Sequence, residues 1–288
     1  MKKLSVLISL VTVLCLLIIP FSGCSTSDTA KLKVVTSISL ISQIVERVGG
    51  DLVDVVNIIP PAQCPGHFDV KPGDIQKLAD ADLFLLGGWQ GEMFTQELID
   101  SANNPDLTVI SLDIPSNPQS NWMVPSVQQE ATDGVAAALS QLDAENSSAY
   151  QTSATKYKDI IEAKAAEIQS RLTRENLANV NVICSSMQAA FLKWAGLNIV
   201  TTYGRPDSLT PQVVKELVDK GREENVSLII DNMQSGQDAG AGLAEELGCT
   251  RIILSNFPGG FDNTDTWEKA IDHNVKLIIE SLADQNGG

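Results

Sequence analysis

Eight short runs rich in β-branched and other apolar residues punctuate this chain, with helical patterns between them. In the first half they cover 32–38, 52–59, 82–86 and 107–112; in the second, 180–184, 198–202, 226–230 and 251–254. The runs lack the polar alternation of a strand with one wet face, so they predict parallel strands buried on both faces. Helical patterns at 40–48, 73–79, 92–102, 188–195, 211–223 and 240–247 supply the crossovers. Thr210 followed by Pro211 is a natural N-cap and first-turn pair. Each half reads β-α-β-α-β-α-β. The expected fold class is α/β with two lobes, each a parallel four-stranded sheet flanked by helices.

The segment between the halves differs. Residues 127–142 read as one helix and 146–174 as a longer one. In the longer helix Tyr150, Ala154, Tyr157, Ile161, Ala165, Ile168 and Leu172 recur at steps of four and three, forming one apolar stripe. At 1.5 Å per residue it spans about 43 Å, too long for one α/β half. It is expected to run along both lobes as a backbone helix. The stripe holds too much Ala and Tyr and too little Leu for a free coiled coil.

The amino terminus carries an address. Lys2 and Lys3 precede an apolar run over 4–20, and Phe21-Ser22-Gly23-Cys24 closes it with small residues. That is a secretory signal, too short and wrongly flanked for a good membrane span. Phe-Ser-Gly-Cys also resembles the bacterial lipoprotein processing box, which implies cleavage before Cys24 and a lipid on its sulfur. The expected organisation is a signal peptide at 1–23, a tether at 24–31, an amino-terminal lobe at 32–125, linking helices at 126–176 and a carboxy-terminal lobe at 177–288. The formal charge of −16 grows by two negative units once Lys2 and Lys3 are removed. Such an acidic body argues against nucleic-acid binding. It suits an exported monomer anchored by lipid to the outer face of the cytoplasmic membrane, at a cell surface or in a periplasm.

Ligands of open parallel sheets bind beyond the carboxyl ends of the strands. The run Pro60-Pro61-Ala62-Gln63-Cys64-Pro65-Gly66-His67-Phe68-Asp69 follows the second strand, and its prolines and glycine make it a loop. A thiolate and an imidazole at this spacing can reach one transition-metal ion. Cys184, Ser185, Ser186 and Met187 end the fifth strand, Asp231 to Gln234 the seventh, and Ser255 and Asn256 the eighth. All are expected to face the interlobe cleft, with Trp122 and Met123 closing one side. A disulfide between Cys64 and Cys184 is the main rival for those sulfurs in an exported chain. Cys249 reads as buried filler.

In this order the residues resemble the metal-binding lipoproteins of bacterial zinc and manganese ABC transporters (the cluster A-I solute-binding proteins). Val34-Val35-Thr36-Ser37-Ile38 with Gly49-Gly50-Asp51 is similar to the family's first strand, helix and turn. Residues 60–83 are similar to the loop bearing its first histidine ligand. Asn121-Trp122-Met123-Val124-Pro125 matches the frame around its second. Leu142-Asp143-Ala144-Glu145-Asn146 with Tyr150 and Tyr157 matches the entry to its backbone helix. The resemblance implies a divalent metal held between the lobes and passed to a membrane permease with its ATPase.

The ligand set departs from the family. His67 survives with Cys64 beside it, but no histidine stands near Ser120 or Ser185, and the last acidic position falls near Ser255. A rebuilt site of Cys64, His67, Cys184 and Asp231 makes a tetrahedral zinc centre. Met187, Met123 or Met233 would soften it toward Cu+. Zn2+ is the expected cargo, with Mn2+ and Cu+ as alternatives. Asp69 could orient His67, and Ser185 and Ser255 line the cleft. His273 belongs to a carboxy-terminal helix surface. The competing readings are a decayed site, another solute such as a metal complex or tetrapyrrole, a surface adhesin, and a chelatase-like enzyme. The chain has no glycine-rich phosphate loop, nucleophile elbow or Ser-His-Asp frame, so it is not expected to be an enzyme.

Overall fold

The computed structural model describes residues 30–88, 94–112 and 121–286. The signal peptide, Cys24, the start of the 92–102 helix with Trp89 and Glu92, and Ser120 lie outside the described residues. Residues from Lys31 onward form one body on two four-stranded sheets. The first holds β1 (Leu32–Thr36), β2 (Val53–Asn57), β3 (Leu83–Leu86) and β4 (Thr108–Ser111), all parallel, in the order β2-β1-β3-β4. The second holds β5 (Asn181–Ser185), β6 (Asn198–Tyr203), β7 (Leu228–Asn232) and β8 (Thr250–Leu254), also parallel, in the order β6-β5-β7-β8. Both lobes therefore repeat one winding. Every residue of β7 is buried, the condition that an unbroken apolar run anticipates.

Ten α-helices cover the sheets among the described residues: α1 (Ser39–Gly49), α2 (Pro72–Ala79), α3 (Thr95–Ala102), α4 (Pro125–Leu142), α5 (Ser147–Leu172), α6 (Ala189–Ala195), α7 (Pro211–Glu223), α8 (Met233–Gly236), α9 (Ala241–Leu247) and α10 (Trp267–Asn286). Thr210 caps α7 by accepting from the Val213 N–H at 3.3 Å. The single turn α8 carries no periodic signal and was not anticipated from the pattern.

The backbone helix is α5, with 26 residues and a length of about 39 Å. Its stripe is buried as expected, except that Ala165 is only half-buried. The Tyr157 hydroxyl meets Gln43 of α1 at 2.9 Å and Gln128 of α4 at 3.2 Å. Toward the other end, Gln169 donates to the Trp194 carbonyl of α6, and Lys164 and Arg171 grip Asp272 of α10. One helix thus touches both lobes. Trp267, fully buried at the start of α10, donates its indole N–H to the Met123 carbonyl at 3.2 Å and ties the last helix to the segment before α4.

Candidate functional site at the lobe junction

Segments that follow strand carboxyl ends in the two sheets meet directly. Ser39, after β1, donates to the Pro258 carbonyl after β8 at 2.8 Å. Gln234, after β7, donates to the Pro61 carbonyl after β2 at 2.8 Å and to Ser255 Oγ at 2.9 Å. Asn121 donates to the Met187 carbonyl at 2.9 Å and to Asn256 Oδ1 at 2.7 Å. Ser255 is held in turn by Asn274, which accepts from its N–H and donates to its carbonyl. These amides share their donors and acceptors almost completely. Gln188 Oε1 is one of three buried side-chain oxygens without a partner among the described residues, with Gln128 Oε1 and Glu268 Oε2.

Cys64 and His67 sit where the sequence put them. The residues Pro65–His67 form a short 3₁₀ turn, with the His67 N–H bonded to the Cys64 carbonyl at 3.1 Å. His67 is exposed and Cys64 half-buried. Asp69 is exposed and makes no hydrogen bond to His67, so it does not orient the imidazole. Phe68 packs edge-on against Phe94 at 5.1 Å, anchoring the loop to its own lobe.

Cys184 and Asp231 are not brought to that loop's open side. Cys184 is fully buried in the hydrophobic core, and burial pushes its thiol up to about 12. It is registered against Thr202 and Ile230, inside the sheet rather than beyond its end. The three described cysteines are free thiols, which removes the disulfide alternative. Asp231 is also fully buried. It accepts from Tyr203 Oη at 2.5 Å, from the Gly240 N–H at 2.8 Å and from Arg251 Nη1 at 2.7 Å. Burial and the adjacent Asp231 charge drive the Tyr203 phenol well above its ordinary value. This carboxylate ties β6, the loop after α8 and β8 together.

The softer candidates divide. Met123 is buried in the core, with no exposed surface. Met187 is 40% exposed, held by its carbonyl at the junction. Met233 is half-buried, and a Cβ placed on Gly260 would lie 3.2 Å from its sulfur. Ser185 and Ser255 are buried. Among the described residues, no group of three or more His, Cys, Asp or Glu is disposed to hold a metal ion.

A family model described as zinc-uptake complex component A, periplasmic, matches residues 34–281. The chain belongs to this family. Among curated relatives, the metal ABC transporter substrate-binding lipoprotein SsaB of Streptococcus sanguinis is 24% identical, over 98% of this chain and all of its own. The manganese-binding lipoprotein MntA of Halalkalibacterium halodurans is 30% identical, but over only 34% of either chain. In fold, the chain resembles the SBP FpvC of Pseudomonas aeruginosa in complex with Ni2+. The TM-score is 0.76 at 20% identity, covering 88% of this chain and 98% of that one.

Within the zinc-uptake family frame, sequence reasoning missed one charged residue at the junction. Arg205 follows β6 and reaches the Cys64–His67 loop, since a Cβ on Gly66 would lie 2.9 Å from its Nη2. Its position just past the predicted strand 198–202 was the available signal. Asn121, read as part of the frame around the second histidine, is a buried donor that ties the Met187 carbonyl to Asn256, and Gln188, not singled out by the sequence, is buried and donates to the Leu254 carbonyl.

Proposed function

We propose that this chain is the extracytoplasmic substrate-binding component of an ABC importer, with a transition-metal ion as cargo. Zn2+ is the first candidate, and Mn2+ and Cu+ are the alternatives. Capture occurs at the junction of the two lobes, and delivery is to a membrane permease with its ATPase. The protein performs no chemical conversion. Anchorage is through a lipid on Cys24 after loss of residues 1–23, which fits the lipoprotein names of the relatives. No described helix is long and apolar enough to cross a membrane.

The observation that carries the reading is the family match over 34–281, joined to an exposed imidazole and an accessible thiol at the carboxyl end of β2. Of the sequence-predicted ligands, Cys64 and His67 bear the proposal, and Met187 is the side chain of the other lobe open enough to join them. Cys184 and Asp231 serve the fold. Ionising the Cys184 thiol costs about 4 kcal/mol more than ionising an ordinary cysteine, from its shift of 9.0 to about 12.

Calorimetric titration of metal-stripped protein with Zn2+, Mn2+ and Cu+ tests this. One ion per chain is expected, and the double variant Cys64→Ser, His67→Ala should weaken binding at least about 100-fold, beyond the loss from removing an outer partner. Absence of stoichiometric binding for all three ions would sink the proposal.

A further inference from the structure

The loop that carries Cys64 and His67 is hydrogen-bonded to the other lobe at a single point. Among the described residues, its other bonds stay inside the loop. The Gln63 N–H meets the Pro60 carbonyl at 2.9 Å, the His67 N–H the Cys64 carbonyl at 3.1 Å and the Phe68 N–H the Pro65 carbonyl at 3.4 Å. Gln63 Nε2 reaches the His67 carbonyl at 3.4 Å. The exception is the Pro61 carbonyl, which accepts from Gln234 Nε2 at 2.8 Å. Beside that bond the Pro61 ring lies against Gly259 of the carboxy-terminal lobe, where a Cβ would fall 3.0 Å from Cγ.

The Gln234 side chain is fixed at this contact. The residue is 5% exposed and begins its turn with its N–H held by Asn232 Oδ1 at 3.1 Å. Its amide has one workable orientation. Nε2 gives one hydrogen to the Pro61 carbonyl and the other to Ser255 Oγ at 2.9 Å, while Oε1 accepts from the Asn256 N–H at 3.0 Å. A flipped amide would set donor against donor at Asn256 and oxygen against oxygen at Pro61. Ser255 is itself bracketed by Asn274 of α10 at 3.1 and 2.7 Å. A neutral hydrogen-bonded chain therefore runs from α10 through Ser255 and Gln234 to the Cys64–His67 loop. Separating the lobes pulls Gln234 from Pro61 and leaves a buried amide donor unpaired, so lobe separation and release of the loop are coupled.

We propose that Gln234 is a positioning residue, a latch through which the carboxy-terminal lobe holds the Cys64–His67 loop in place before any ligand arrives. This rests on the metal-import reading for what the loop holds, and adds how the loop is released.

Hydrogen exchange on metal-free mature protein tests it. Gln234→Leu keeps the bulk of the side chain and removes every bond of its amide. The segment 60–69 should then exchange about fivefold faster or more, the worth of one ordinary hydrogen bond, while the β1 and β5 ladders stay within about twofold of wild type. Gln234→Glu gives a readout that lost packing would not move. The bonded partners of Gln234 are Asn232, Pro61, Ser255 and Asn256, none of them charged, so a pH response peculiar to this variant belongs to the new carboxyl. Ionised, the carboxyl sets an oxygen against the Pro61 carbonyl and the loop exchanges fast. Once protonated, at or above the ordinary glutamate value of about 4.3, it regains a donor and loop exchange should return to that of wild type at the same pH. Unchanged loop exchange in Gln234→Leu, a parallel rise in the β1 and β5 ladders, or no recovery of Gln234→Glu in acid overturns the latch. Zinc release into a competing chelator keeps the two readings apart. If Cys64 and His67 hold the ion, release from Gln234→Leu should quicken by about the same fivefold. Fast loop exchange with unchanged zinc release establishes the latch and overturns the placement of the ion at that loop.

Discussion

Replacing Asp231 by Asn separates its two readings, as a ligand and as a structural ion. The carboxylate has no exposed surface and three donors aimed at it: Tyr203 Oη, the Gly240 N–H and Arg251 Nη1. An asparagine keeps one acceptor oxygen but sets its amide donor against another donor. If the oxygen stays with Tyr203 and Gly240, the amide confronts the guanidinium and the ion pair is lost. Hydrogen bonds to charged groups contribute about 1.5–3 kcal/mol each. Stranding a fully buried charge costs about 3–5 kcal/mol. Arg251 is not fully stranded, because its side chain is 26% exposed and keeps Asp238 and the Gln237 carbonyl. The expected destabilisation is therefore about 2–4 kcal/mol, between those limits. That corresponds to a fall of about 10 °C in Tm for a chain of this size. Urea unfolding of metal-free protein reads it directly as a lower midpoint with an unchanged slope. Metal affinity of the folded variant should stay within about threefold of wild type, since local packing shifts of this kind are worth well under 1 kcal/mol at a separate site. A variant as stable as wild type to within about 0.5 kcal/mol, but with affinity more than tenfold weaker, would refute the argument. It would mean that the carboxylate is free to meet an ion and that its three bonds are incidental.

The other consequences are quicker to check. Tyr203→Phe removes one of the same donors and should cost about 1–3 kcal/mol, and a cycle with Asp231→Asn should be clearly non-additive because the groups touch. In protein with Cys24 replaced by serine, a thiol reagent should modify Cys64 readily and Cys184 only after unfolding, as expected for a thiol whose value burial pushes up to about 12; Cys184→Ala should leave metal affinity unchanged, and rapid native labelling at 184 would contradict the placement. The Tyr150 hydroxyl, at 2.6 Å, holds the Asp143 carboxyl below its ordinary value. This pair adds stability above the unfolded-state carboxylate pKa of about 3.9 and loses it as pH falls through the folded-state value, so Asp143→Asn should flatten that part of an acid-unfolding curve; an unchanged acid limb would speak against it. Gly240→Ala would place a methyl 2.5 Å from Ile229 Cγ2 and 2.7 Å from Tyr203 Oη, and overpacking of that kind should cost about 1–3 kcal/mol in thermal or urea unfolding.

The architecture was legible because its signals are physical necessities of parallel sheets. Unbroken apolar runs such as the one ending at Ile230 mark central strands covered on both faces, whereas the edge strands β2 and β4 alternate more and less buried residues and leave Val56 and Val109 exposed. The stripe from Tyr150 to Leu172 fixed the backbone helix and the face it buries, and the structure differs mainly in trimming it to Ser147–Leu172. What periodicity could not supply was the end of each strand to within two residues. Cys184 was read as the last residue of the fifth strand and Asp231 as the first beyond the seventh, yet both pair in register, Cys184 with Thr202 and Asp231 with Ile253. On a central strand, a residue inside the ladder faces packed helices, whatever its chemistry. The first exposed positions after Cys184 are Ser186 and Met187. An error of one residue at the end of β5 and two at the end of β7 therefore turned core side chains into apparent ligands.

The same geometry explains what occupies the junction. Where lobes are joined by an ion, the ion's bonds hold them. Here direct bonds already do so through Ser39 and Pro258, Gln234 and Pro61, and Asn121 with Asn256 and the Met187 carbonyl. These contacts are neutral and nearly all paired, so closure of the lobes does not wait for a charge to arrive. Beside that bonded seam the Cys64 side chain stays half-buried and the His67 imidazole exposed.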